Sequence, residues 1–539
     1  MSVSKSAVED ALRSIAPQHR GPGGAVAVLQ DGAVLGQHVW GYADLDEKIP
    51  LAADTLMPIC SISKQLFCAL VVDLQRNPTP AMAANGDVMK QFSNKLAELL
   101  PSDIMQSTGL TIDHLCSNHS GIRDYWALTA LCGAKPEGEF SIAKHGPLMR
   151  ERLRSVHFQP GTEFSYANTN FHILGRVLEE VTKESLDDLL AQRIFAPAGM
   201  KTARLCADTA KLPKPCVGYE GDAQHGFRPA TNRIEWAGDA GVIASLDDMV
   251  AYEAYLDRSL SDPESWYRAV MEPGKYSDGK TAKYHYGLGH GVIEDVSFVG
   301  HGGALRGFRL NRMQVPKARL SIVVMLNHEA NTSLISEEIL RKVLKLQSPP
   351  PQPTVEPSPA WTGTFLDQDT QLAVSISRAV KKGQLSISYA VSPETVIVKE
   401  PDRAASRSMN ANIDGDIVTL ERLIDNRTLH AKRLAKDESV PAAASFAGSF
   451  YCKEIDSTFH CDDLGGILYG SFDGFLGHGP AEGMRHLGQD VWALPCARGM
   501  DAPAPGDWTL VFRRGADRSV IGVTIGCWLA RKLEYNRVG

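Results

Sequence analysis

Six prolines fall within the thirteen residues Gln347–Pro359, and that run limits how the rest of the chain can be assembled. Proline lacks an amide hydrogen and fixes its own φ, so the run supports neither a helix nor a central strand. It predicts a stiff, extended linker over 347–359, with one domain ending near Leu346. The 539 residues, 43% hydrophobic and 22% charged, have ordinary globular composition and suffice for roughly two to four domains.

The two sides of the linker are patterned differently. Before it, Ala25–Leu29 and Ala33–Leu35 flank Asp31-Gly32, a hairpin signal. Helical periodicity then dominates the middle, as in Asn170 to Val181. Strand-like runs return at Phe308–Val315 and Leu320–Met325. This order predicts an α+β domain over 1–346, with a sheet built from both ends of the segment and helices inserted between. After the linker come short alternating stretches such as Leu385–Tyr389 and Trp508–Phe512. Trp361-Thr362-Gly363-Thr364-Phe365 and Phe446-Ala447-Gly448-Ser449-Phe450 share aromatic-x-Gly-x-Phe, which suggests a duplicated unit. Two antiparallel β-barrels, 360–437 and 443–539, fit that pattern.

A net charge of −7 gives no electrostatic reason to expect nucleic acid or an anionic membrane. No stretch approaches the roughly 18 apolar residues that span a bilayer. The first 21 residues carry Glu9, Asp10, Arg13 and His19 and no apolar signal core, so a cytoplasmic protein is expected. Ten cysteines without a C-x-x-C pair favour reduced, buried thiols over disulfides or zinc. Cys60 reads as a small apolar filler beside the motif described next.

Ser61-Ile62-Ser63-Lys64 is one of four Ser-x-x-Lys stretches, with Ser2/Lys5, Ser141/Lys144 and Ser277/Lys280. Only Ser61 opens an apolar helical run, Cys60–Val72, preceded by Pro58. Positions i and i+3 share a helix face, which brings the lysine amine to the serine hydroxyl. Burial favours the neutral amine, which can take a proton, and the Ser61 N–H in the first turn is free to face an oxyanion. Alone, the same residues also read as a serine cap with a solvated lysine. Tyr166-Ala167-Asn168 follows the turn Pro160-Gly161 and precedes a helix near Asn170. Neighbouring cations would favour the phenolate of Tyr166 as a base, and Asn168 offers donor and acceptor to a substrate amide; a packed tyrosine at a helix start is the plainer reading. His301-Gly302-Gly303 lies on an expected edge strand where a substrate can approach the backbone.

In order and spacing these three elements resemble the serine penicillin-recognising, β-lactamase-like family, whose motifs are Ser-x-x-Lys, Tyr-x-Asn and Lys-or-His-x-Gly. His119-Ser120-Gly121, Gly238-Asp239-Ala240-Gly241 and Tyr286-Gly287-Leu288-Gly289 are also similar to family stretches. Arg123–Leu128, Ala230–Ile234, Met500-Asp501-Ala502-Pro503 and Cys527–Arg531 narrow the resemblance to a bacterial branch with two C-terminal barrels. The resemblance implies removal of N-terminal D-residues such as D-alanine from small peptides, amides or esters, in a homodimer with no metal or cofactor. It makes Ser61 the nucleophile, Lys64 and Tyr166 the proton carriers, Asn168 and His301 the groups that hold substrate and tune the tyrosine, and the N–H groups of Ser61 and Ala304 the oxyanion hole.

The resemblance further implies substrate contacts at Gly303 and in a specificity loop near 474–488, where an acidic residue meets the substrate's amine in relatives. That position falls on Pro480 here, with His478 beside it and Glu482 the nearest carboxylate. A buried ammonium without a counter-charge is unfavourable, so either Glu482 supplies the anion with a shifted loop or specificity has drifted toward uncharged acyl groups. Two other functional classes stand beside the aminopeptidase: a cytoplasmic esterase or β-lactam hydrolase on the same fold, and a non-catalytic protein whose barrels bind a ligand or partner.

Overall fold

The computed structural model describes residues 3–347, 353–389, 392–435, 443–496, 498–501 and 504–538. The linker centre at 348–352, the stretch joining the two expected barrels, and Ala502-Pro503 lie outside the described residues.

The N-terminal part is built on an eight-stranded antiparallel sheet. Its strands are β1 (Gly23–Gln30), β2 (Ala33–Asp44), β3 (Ile49–Pro50), β4 (Tyr284–His285), β5 (Leu288–Ile293), β6 (Val296–Leu305), β7 (Phe308–Val315) and β8 (Leu320–Leu326), in the order β3-β2-β1-β8-β7-β6-β5-β4. Both ends of the segment therefore supply the sheet, with β1 against β8 at its centre. The Asp31-Gly32 hairpin forms as expected: Gln30 pairs with Ala33, and both turn residues have positive φ (52° and 73°).

All but the last residue of β1 is buried, because side chains on both faces meet helices. Val26 and Val28 join the terminal helices α1 (Lys5–Arg13) and α6 (Thr332–Val343) through Val8, Leu12 and Ile339. Ala25, Ala27 and Leu29 face the inserted helices, which centre on α2 (Ser63–Arg76). Each fully buried aliphatic side chain contributes about 1.5–3 kcal/mol, so α2, with Leu66, Phe67 and Leu70 wholly covered, is held firmly. Arg312 on β7 ties the layers: its guanidinium grips Glu253 of α5 (Leu246–Ser259) at 2.5 Å and donates to Gln65 Oε1 at 3.1 Å. Between α2 and α5 lie α3 (Tyr125–Leu131) and α4 (Asn168–Thr182).

The C-terminal part is all β. Strands from Gly363–Asp367 to Arg427–Arg433 close an eight-stranded barrel, and those from Gly448–Cys452 to Ala530–Val538 form a ten-stranded sheet. That sheet coils around Phe450, Phe459, Phe472 and Trp508 and leaves a seam between Gly477–His478 and Arg485–Gly488. The repeated Gly-x-Phe has one structural basis. Phe365 pairs in register with Arg433 and Phe450 with Arg537, and each guanidinium covers its phenylalanine ring, at 4.5 and 5.3 Å. The ten-stranded sheet docks on the N-terminal part through buried Arg531, which meets Glu163 at 2.9 Å, and through Arg123, which meets Glu454 at 2.9 Å. Among the described residues, no helix is long and apolar enough to cross a membrane.

Candidate active site

Ser61 stands in a single 3-10 turn, Cys60–Ile62, immediately before α2, rather than within the helix itself. The turn is possible because Cys60 takes a left-handed conformation (φ 52°) and buries its thiol. β6 presses on it so closely that a Cβ on Gly303 would come 2.4 Å from the Ile59 carbonyl oxygen. Only glycine fits there.

Lys64 lies one turn on and is completely covered. Its Nζ is 3.0 Å from Ser61 Oγ, 2.8 Å from Asn168 Oδ1 and 2.6 Å from the Asp239 carbonyl oxygen. Burial brings the amine down to about 8 against the opposing charges of Asp239, Asp124 and Asp501. The Asn168 and Asp239 oxygens can only accept. A neutral amine that donates its two hydrogens to them therefore turns its lone pair toward the Ser61 hydroxyl.

The Tyr166–Asn168 loop is held from behind. Asn118 Oδ1 accepts from the Ala167 amide at 3.1 Å, and Asp124 accepts from the Asn168 amide at 2.6 Å while capping α3. Burial raises Asp124 to about 6, opposed by the Asn168 and Ala127 amides. Tyr166 bonds Ser61, but burial outweighs that bond and pushes the phenol well above its usual value. That direction favours the protonated phenol over the expected phenolate. α4 begins at Asn168, two residues before the expected start.

His301 is fixed as a neutral ring. Its Nδ1 is 2.6 Å from the Gly302 carbonyl, which only accepts, so Nδ1 carries the hydrogen and Nε2 accepts from Tyr284 Oη at 3.0 Å. Burial and the Lys64 charge bring the imidazole down to about 3. β6 is an inner strand, not the expected edge. Its pairing with β5 ends at Gly300, however, so His301–Leu305 have no strand on that side. The shortness of β5 makes a local edge beside the serine.

Ser61, Tyr166, Asn168, His301, Gly303 and Ala304 all line one cleft of about 690 Å³. His478, Pro480 and Glu482 do not. The segment from Gly474 seats on α3's end, where Leu476 donates to the Cys132 carbonyl at 3.0 Å and a Cβ on Gly474 would strike Cys132. There His478 binds Asp473 at 2.7 Å with 85% of its side chain exposed, and Glu482 lies near Cys496. The specificity loop thus reaches the N-terminal part but stops short of the cleft.

A different stretch of the same sheet enters it. Gly499, Asp501, Ala504 and Pro505 line the cleft with Trp126, Trp236 and Leu529. The Asp501 carbonyl accepts from the Arg306 amide at 2.9 Å, and Arg498 meets Glu220 and Glu329, each at 2.9 Å. Arg306 and Arg309 share these two acids. Asp501 thus lines the cleft, where the expected acid, Glu482, does not. Its signal was the stretch Met500-Asp501-Ala502-Pro503, whose acid was not connected to the cleft.

Hydroxyl, desolvated amine, phenol and open strand edge together form an acyl-transfer centre of the serine–lysine class. Residues 7–344 match the Beta-lactamase family, and 354–536 match D-aminopeptidase, domain B. The chain is 41% identical over 533 residues to D-aminopeptidase of Brucella anthropi, covering 99% of this chain and 98% of that one. It therefore belongs to the β-lactamase family and, by this whole-length identity, to the D-aminopeptidases within it. Two solved structures share the fold. The octameric penicillin-binding protein homologue from Pyrococcus abyssi has a TM-score of 0.52 at 19% identity, over 79% of this chain and 99% of that one. The D-amino acid amidase from Ochrobactrum anthropi SV3 complexed with L-phenylalanine has 0.51 at 18%, over 63% and 98%.

Proposed function

We propose that this chain is a D-stereospecific aminopeptidase, releasing N-terminal D-residues of the D-alanine type from small peptides, amides or esters through an acyl-enzyme on Ser61. The observation that carries the reading is Asp501 in the same cleft as Ser61, Tyr166 and Asn168, a carboxylate suited to a substrate's free ammonium. The whole-length likeness to D-aminopeptidases supports the D-specific part.

The Ser61 proton passes to neutral Lys64 as Oγ bonds the carbonyl carbon. The oxyanion accepts from the N–H groups of Ser61 and Ala304. The carbon–nitrogen bond then breaks as the Tyr166 phenol protonates the leaving amine, and Lys64 restores the phenol's proton. Asn168 fixes the lysine, and His301 borders the phenol. Water attacks the ester by the reverse route, giving up a proton to the same pair and freeing Ser61 and the D-amino acid.

In this reading 1–346 is the catalytic unit, 360–437 is a closed barrel domain, 443–539 is a half-barrel domain, and 347–359 links the catalytic unit to them. Ten unpaired cysteines support a reducing, cytoplasmic setting. A homodimer is the assembly that the family resemblance suggests.

The test is a substrate panel: D-Ala-p-nitroanilide, its L-isomer and its N-acetylated form, with wild type and Asp501→Asn. Wild type should prefer the free-amine D-substrate, and the variant should raise KM for amines at least tenfold while sparing the acetylated form. Equal wild-type rates on free and acetylated substrates would overturn amine recognition.

A further inference from the structure

A second groove, of about 880 Å³, opens on the far side of Tyr166. It shares Tyr166, His301, Gly302, Asn331 and Ser333 with the cleft but is lined by neither Ser61 nor Asp501. Its walls come from three parts of the fold. Val292 lies on β5, Leu334 near the start of α6, and Ile424 on a turn of the eight-stranded barrel. These side chains are 46%, 55% and 39% exposed, and Phe164, Tyr284 and Phe298 add ring surface beside them. Large apolar side chains gathered around one concavity from separate elements mark a binding surface rather than scattered exposure.

The barrel wall is fixed in place. Tyr276 Oη donates to the Ile424 carbonyl at 3.0 Å, the Phe164 amide to the Asp425 carbonyl at 3.1 Å, and Asn426 Nδ2 to the Thr162 carbonyl at 3.0 Å. Those last two bonds tie the turn to the loop that carries Tyr166. At the rim, Arg407 is neutralised by Glu337 at 3.4 Å and Glu294 at 3.6 Å and exposed Lys283 stands at the edge, while the walls between are mainly apolar.

We propose that this groove receives the part of a peptide substrate that departs with the amine, and that it selects a large apolar residue immediately after the released D-residue. The inference rests on the reading of Ser61 and Tyr166 given above. With the substrate's ammonium held toward Asp501 in the cleft and the leaving nitrogen at the Tyr166 phenol, the chain beyond that nitrogen continues past Tyr166 and His301 into the groove. The eight-stranded barrel then forms part of the specificity surface, in addition to linking the catalytic unit to the second sheet.

The test compares kcat/KM of the full chain on D-alaninamide, D-Ala-Gly-amide, D-Ala-Leu-amide and D-Ala-Phe-amide. Differences in apolar contact of this size discriminate by roughly tenfold or more, so the values should climb at least that much from glycine to phenylalanine. Leu334→Asp and Ile424→Asp, at surface positions and checked by thermal unfolding, should each bring the phenylalanine-to-glycine ratio toward one. Leu334→Ser should lower it without an added charge. Cleavage of D-alaninamide with a flat wild-type series, or a ratio unchanged in both aspartate variants, would overturn the groove assignment alone. No cleavage of any of the four substrates would overturn the functional reading and this inference with it.

Discussion

Replacing Asp239 by asparagine tests whether Lys64 is the base that activates Ser61. The Asp239 carboxylate is fully buried, accepts from Tyr125 Oη at 2.7 Å and the Ala237 amide at 3.1 Å, and is the strongest of the charges that favour protonated Lys64. Asparagine keeps the shape: its oxygen can face the Ala237 amide while the Tyr125 hydroxyl rotates to accept from its nitrogen. The charge disappears, which favours the neutral amine, so the lysine titrates lower. Two unit charges about 6 Å apart interact by about 3 kcal/mol at an effective dielectric near 20, equivalent to about two pH units. The opposing Asn dipole trims that to between about one and two units. The acidic limb of kcat against pH, set by an amine near 8, should therefore move that far toward acid. The assay is kcat on D-alaninamide from pH 5 to 10, because kcat reports groups in the bound complex and an amide keeps acylation slow. Thermal unfolding checks that the variant is folded. A limb that stays in place, or moves toward alkaline pH, would refute Lys64 as the base.

Tyr284→Phe removes the hydroxyl that donates to His301 Nε2 and should lower kcat on D-alaninamide about tenfold with little change in KM, the loss expected for one neutral hydrogen bond. An unchanged kcat would mean that the ring's orientation does not matter. Gly303→Ala forces a methyl against the Ile59 carbonyl and should cut kcat/KM by about two orders of magnitude, as expected for a misplaced nucleophile, with a lower Tm. Arg531→Met leaves buried Glu163 with one partner fewer and should destabilise the folded chain by about 2 kcal/mol in chemical unfolding. Wild-type stability in that variant would show that the docking of the sheet does not depend on this pair.

The α+β plan with sheet strands at both ends of the first segment was legible because β1 and β8 are nearly continuous apolar runs and β7 spaces Phe308, Leu310, Met313 and Val315 among polar residues, each bounded by turns. The duplicated Gly-x-Phe was legible because each copy starts a strand at the same place. The balance at Tyr166 was not legible because sequence shows neighbours in the chain but not burial, and burial there favours the protonated phenol. The loop assignment failed for another reason. The order of residues along the last sheet does not say which of two adjacent loops turns inward, and the Arg306–Glu220–Arg498 cluster that draws Asp501 into the cleft joins residues far apart in sequence. The free edge at His301–Leu305 was equally invisible, since it depends on where β5 stops pairing.

The most direct test of the acyl-enzyme is rapid quenching during turnover of a D-alanine ester, followed by mass spectrometry of the digested protein. One alanyl group should be found on the peptide carrying Ser61, and should be absent from an inactive Ser61→Ala variant. An unmodified Ser61 peptide under steady turnover, together with a Ser61→Ala variant that still hydrolyses the ester at the wild-type rate, would contradict the account.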